Sequence, residues 1–197
     1  MAEQGIFRAL AGLAADAITK ATRRHGGPGR TRPPATGRPQ AEAGASGRDD
    51  ASPGSPGGVP GTQTVEAAPG DVRDLRLAYG PDRDGDPDAG EIVWTWVPYA
   101  EGDGRGKDRP VLVIARQSAE RVYAVKLTSR PRDGEEDFVS IGTGSWDAQG
   151  RESWADLDQL YSVHASGMRR EAAELAPDRF SAVARELARR HGWRMTA

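Results

Sequence analysis

Apolar positions in the second half of the chain fall into short runs with a period of two. In Glu91–Val97, Ile92, Trp94 and Trp96 alternate with Val93, Thr95 and Val97, the pattern of a strand with two distinct faces. Arg109–Ala115 is apolar almost throughout, which predicts a strand buried on both faces. In Arg121–Thr128, Val122, Ala124, Lys126 and Thr128 alternate with Tyr123, Val125 and Leu127. Phe138, Val139 and Ile141 mark a shorter fourth strand, and Trp154–Val163 a fifth. Loops rich in glycine and charge, Pro98–Asp108 and Gly142–Gly150, separate them. Strands at this spacing predict a mainly β domain, a small antiparallel barrel or sandwich. The period then changes. Phe180, Val183, Ala184, Leu187 and Ala188 recur at three and four residues, after Pro177 and before Gly192. That predicts a C-terminal helix docked on the sheet by one stripe.

The first half has a different texture. Ile6, Phe7, Leu10, Ala14, Ala17, Ile18 and Ala21 predict an amphipathic helix within residues 1–25, ended by Arg23-Arg24-His25-Gly26-Gly27-Pro28. Its acidic start, Glu3, and broken apolar run argue against a secretory signal. Residues 26–70 hold 11 Gly and 8 Pro, with Val59 and Val65 as the large aliphatic side chains. Such a stretch buries too little apolar surface to offset ordering. The expected organisation is therefore a helix in 1–25, a disordered linker over 26–87 and a folded domain over 88–194. An amphipathic helix on a tether is expected to dock on a partner, self-associate or lie on a membrane surface.

Composition narrows the chemistry. With no Cys among 197 residues, disulfide scaffolds, thiolate metal sites and cysteine nucleophiles are excluded. Three His leave little for a histidine metal site, and no metal or cofactor is expected. There is no apolar run near the length of a membrane span. A formal charge of −2 gives no global attraction to nucleic acid. Asp82-Arg-Asp-Gly-Asp-Pro-Asp88 has the alternating carboxylates of a calcium loop but lacks its closing Glu, and Pro87 interrupts it. It reads as a solvated acidic stretch. His164 and His191 read as surface or capping residues. Trp94, Trp96, Trp146 and Trp154 read as packing residues, with base stacking on one of them as the alternative.

Five fragments carry a resemblance: Gly90-Glu-Ile-Val-Trp94; a charged glycine-rich loop leading into Arg109-Pro-Val-Leu-Val-Ile114; Leu127-Thr128-Ser129; Ser153; and Leu157-Asp158-Gln159. In this order they resemble the PemK/MazF family, the toxins of type II toxin–antitoxin modules, over about residues 88–194. The resemblance implies an SH3-like β-barrel with a C-terminal helix. It implies a homodimeric, metal-independent endoribonuclease that cuts single-stranded RNA and is blocked by the tail of an antitoxin protein. Related toxins with this barrel inhibit DNA gyrase, and a barrel that binds nucleic acid, DNA or RNA, or a partner protein without cutting is a further alternative.

The resemblance assigns Arg109, Thr128 and Asp158 to catalysis. Metal-free RNA cleavage uses the substrate's 2′-hydroxyl as nucleophile, so the protein supplies charge, hydrogen-bond donors and proton transfer. A guanidinium at Arg109 suits a phosphate and its developing charge. A hydroxyl at Thr128 donates to a phosphate oxygen. Asp158 matches the acidic residue of the family's Asp/Glu-Gln pair, with Asp156 expected on the same strand face. Arg105, Lys107 and Ser129 are expected to bind substrate. The other readings are Arg109 paired to Glu101, Asp103 or Asp108, Thr128 as an ordinary strand residue, and Asp158 as a structural acceptor. The chain departs from the family pattern where the loop before Arg109 has no His. Tyr161 stands where an Arg often follows Asp-Gln, and Asp156 where some members carry Arg.

Overall fold

The computed structural model describes residues 54–56, 58–82 and 85–196, and the helix expected in 1–25 lies outside them. Two three-residue strands come first, β1 (Val65–Ala67) and β2 (Arg76–Ala78). The five strands expected from the alternation follow as β3 (Glu91–Pro98), β4 (Gly106–Arg116), β5 (Arg121–Thr128), β6 (Phe138–Gly142) and β7 (Ser153–His164). A further strand, β8 (Met168–Glu174), precedes helix α1 (Pro177–His191), and β9 (Arg194–Thr196) ends the described chain. Helix α1 has the predicted signals at both ends. Pro177 opens it, Asp178 sits in the first turn, and Arg189, Arg190 and His191 sit in the last. Gly192 closes it in the left-handed conformation (φ 72°), its N–H bonded to the Ala188 carbonyl.

The main sheet is antiparallel in the order β1-β7-β5-β4-β3-β8, with β6 also on β7. It does not close into the expected barrel, because closure requires the two outer strands to pair and here β8 pairs with β3 alone. The register of β8 shifts between Ile92↔Ala173 and Val93↔Arg170, and Ala172 takes a positive φ of 53° there. A bulge with exposed Arg169, Arg170 and Glu171 is the kind of edge that resists further pairing.

Period-two alternation gives the sheet two apolar faces. On one, Ile92, Leu112, Ile114, Val125, Leu127 and Leu160 pack with Phe180, Val183, Ala184 and Leu187 of α1. On the other, Val93, Val97, Val111, Val113, Val122, Ala124, Tyr161, Val163 and Met168 form a second cluster. Val111–Ala115 of β4 is buried throughout, as its apolar run predicts.

Part of the stretch expected as linker carries ordered structure. Leu75 and Leu77 join the helix-side core, β2 pairs in parallel with β9, and the Trp193 indole donates to the Val72 carbonyl at 2.8 Å. Upstream, Thr64 donates to Thr95, which donates to the Gly167 carbonyl, at 2.6 and 2.7 Å. Arg121 holds the carbonyls of Gly61 and Gln63 at 3.1 and 2.8 Å. A Cβ on Gly167 would lie 2.2 Å from the Thr62 carbonyl oxygen, so glycine allows this close approach. These few contacts with distant residues, not local apolar content, order residues 58–79.

Candidate active site

The cleft arises where two neighbouring strands part. The last residue pair joining β4 to β5 is Val111↔Lys126. Beyond it, β4 stays with β3 as far as Pro98↔Gly106, while β5 stays with β7 as far as Thr128↔Trp154. Between the diverging ends lies an open cleft of about 560 Å³. Lys107–Pro110 line it from one side, Lys126–Arg130 from the other, with Trp94, Phe138 and Trp146 among the apolar residues. Lys107, Arg109, Lys126, Arg130, Arg132 and Arg151 outnumber Asp108, Asp147 and Asp156 along it. An acidic chain thus concentrates positive charge in one place.

Arg109 and Thr128 both line this cleft, each half-buried. Arg109 makes no ion pair with the acids nearest in sequence: Asp103 is taken by Arg105 and Asp108 by Arg169, both at 2.6 Å. Thr128 Oγ1 accepts the Arg130 N–H at 3.2 Å, which leaves its own proton to donate. Lys107 and Ser129 also line the cleft. Arg105 does not. Its exposed guanidinium folds back on Asp103, whose carboxyl is held low by the Arg105 N–H and guanidinium.

Asp158 is held elsewhere, bonded to Arg190 of α1, which also pairs with Asp137 at 2.8 Å. Burial works to lower the Arg190 pKa, but these carboxylates overcome it and raise the value. The expected shared face of Asp156 and Asp158 fails because β7 bulges. Val125 opposes Leu160 and Leu127 opposes Ala155, so the intervening residues of β7 have no backbone register partners on β5. Within the bulge Asp156 Oδ1 accepts the Asp158 N–H at 3.1 Å, a local Asx turn that separates the two side chains.

Asp156, not Asp158, lines the cleft, and it pairs with Lys126 at 3.2 Å. Lys126 also donates to Gln159 Oε1, which accepts the Tyr161 hydroxyl at 3.1 Å, while Gln159 Nε2 reaches Glu66 of β1 at 3.4 Å. Burial raises the Tyr161 pKa, Glu66 and Asp156 add to the rise, and Arg109 opposes it. Lys126 was legible as a cation in an otherwise apolar alternation, Val122-Ala124-Lys126. Its partner was not, because the bulge determines it.

Trp94 is the half-buried cleft indole, with the Arg169 guanidinium 5.9 Å from its ring centre. Trp146 is buried and donates to Ser153 Oγ at 3.1 Å. Across the cleft, Asp147 pairs with Arg151 at 2.9 Å. Burial raises the Asp147 pKa, but the Gln149 N–H and Arg151 outweigh it and hold the carboxyl low. Away from the cleft, Arg116 holds Asp86 and Asp88, of the stretch with calcium-like spacing, at 3.5 and 3.3 Å.

An antiparallel sheet backed by one C-terminal helix, opening into a cleft in which basic side chains outnumber acidic ones, defines a small β domain with one concentrated patch of positive charge. The chain belongs to the PemK-like, MazF-like toxins of type II toxin–antitoxin systems, whose family profile matches residues 88–190. Members of this family are toxin–antitoxin endoribonucleases. Among solved structures, MazF of Deinococcus radiodurans is 24% identical, covering 54% of this chain and 96% of its own, with a TM-score of 0.43. A mycobacterial endoribonuclease in complex with its cognate antitoxin is 17% identical over 54% of this chain and 96% of its own, with a TM-score of 0.43. The toxin MazF-mt6 of Mycobacterium tuberculosis is 18% identical over 50% and 93%, with a TM-score of 0.39. No curated protein matches the chain. No helix among the described residues is long and apolar enough to cross a membrane.

Proposed function

We propose that this chain is a metal-independent endoribonuclease of the toxin type, cutting single-stranded RNA to leave a 2′,3′-cyclic phosphate and a 5′-hydroxyl. The observation that carries the reading is the basic cleft with Arg109 and Thr128 on its two sides. In this reading Arg109 grips the scissile phosphate with paired hydrogen bonds, and its charge stabilises the phosphorane as the 2′-oxygen attacks. Thr128 donates to a phosphate oxygen. Lys107, Ser129 and Arg130 hold the flanking strand, and Trp94 offers an aromatic surface for a base. Family membership supports the rest of the proposal: a homodimer in the cytoplasm, with an antitoxin protein as the controlling partner.

The test is cleavage of mixed-sequence single-stranded RNA in EDTA by the full chain, beside Arg109→Ala and Thr128→Ala. Removal of one transition-state donor is expected to lower kcat/KM by about 10²–10³. RNA binding without cutting by a folded wild type would replace this reading with a non-cleaving nucleic-acid-binding module.

A further inference from the structure

We propose that Lys126 is the general acid of the site, giving a proton to the leaving 5′-oxygen; this rests on the endoribonuclease reading above. The cleft contains few groups able to do this. Asp158 is bonded to Arg190 outside it. Tyr161 is buried, its hydroxyl committed to Gln159. A guanidinium does not release its proton at neutral pH, which excludes Arg109. A threonine hydroxyl is about as weak an acid as the leaving alcohol, so Thr128 gains nothing by transfer. An alkylammonium arrives already protonated and is a far stronger acid than that alcohol.

The position of Lys126 fits the task. It lies two residues before Thr128 on the same face of β5, a separation of about 6.6 Å along a strand. Its side chain is 22% exposed and is fixed by the 9% exposed Asp156 at 3.2 Å and by Gln159. An ammonium has three N–H groups; among the described residues one donates to Gln159, and the charge contact with Asp156 covers another side of the group. The third is left for a ligand in the cleft. Gln159 is itself held by Tyr161 and Glu66, so the ammonium is oriented by three strands, β1, β5 and β7. Lys107 also lines the cleft, but it is exposed and has no comparable support.

In the step itself, the 2′-oxygen attacks phosphorus as its proton passes to water, and the O2′–P bond forms. The P–O5′ bond breaks, and the electron pair left on O5′ takes a proton from Lys126 Nζ. The neutral amine then recovers a proton from solvent. No metal or redox partner enters the balance. Asp156 and Gln159 are positioning residues for the ammonium.

The experiment compares two short RNAs spanning a site first mapped with the wild type, one natural and one with sulfur in place of the bridging 5′-oxygen. A thiolate leaves without a proton, so it needs no general acid. Full-length wild type, Lys126→Met, Lys126→Arg and, as control, Lys107→Met are assayed on both. Lys126→Met is expected to lower kcat/KM on the natural RNA by about 10²–10⁴ and to return to within about tenfold of wild type on the sulfur substrate. Lys126→Arg keeps the charge but holds its proton, so it follows the same pattern. Lys107→Met is expected to lose equally on both substrates. An equal loss on both by the Lys126 variants, or no loss on the natural RNA, overturns the proposal while wild-type cutting keeps the endoribonuclease reading. A wild type that cuts neither substrate overturns both. Rescue by sulfur also shows that the variant is folded.

Discussion

Asp156 and Asp158 differ by one intervening residue, yet they serve different surroundings. One faces Lys126 in the cleft and the other faces Arg190 on the helix. Strict alternation assigns them to one face, and the bulge in β7 overrides it. The consequence is measurable. Asp158→Asn is expected to keep kcat/KM for RNA within about threefold of wild type, far less than the 10²–10⁴ at stake in proton transfer. Arg190 retains Asp137, and Asp158 is about half exposed, so the stability cost is expected to stay below about 1 kcal/mol by denaturant titration. A large loss of kcat with normal folding would return Asp158 to the chemistry.

The long elements were legible because each repeats its signal. β3, β5 and α1 lie where the periods of two and three-to-four place them, since burial of one face requires those periods, and β4 contains the apolar run Arg109–Ala115 but starts earlier, at Gly106, within the stretch expected as loop. β1, β2 and β9 span three residues each, too few for any period to register. Their residues are ordered by partners far along the chain, β7 for β1 and β9 for β2. Leu77 is the sharpest case, 1% exposed within a stretch whose composition reads as linker. Leu77→Ala is expected to cost about 2–5 kcal/mol, the range for truncating a buried leucine. Denaturant unfolding measures it, and an unchanged midpoint would mean that β2 and β9 contribute no packing.

Net charge conceals the polarity of the molecule. The chain is −2 formally, yet Lys107, Arg109 and Arg130 line the cleft with no ion-pair partner among the described residues. Three such phosphate contacts correspond to a slope of about −2 for log affinity against log salt on single-stranded RNA. Measuring RNA binding from low to moderate salt checks this, and a slope near zero would remove the basic cleft as the binding surface. The Arg109 and Thr128 assignments came from resemblance, on residues whose strands the alternation had already located. The cleft between them is visible only once β4 is seen to stay with β3 while β5 turns to β7.

Local periodicity and end signals were enough to locate five strands, the closing helix and its caps, because they depend on residues a few positions apart. The open sheet, the bulge, the parting of β4 from β5 and the seating of residues 58–79 depend on which distant segments meet. Hydrogen-bond pairing and close packing between those segments set them, and a linear pattern of apolar and polar positions carries no record of the partner.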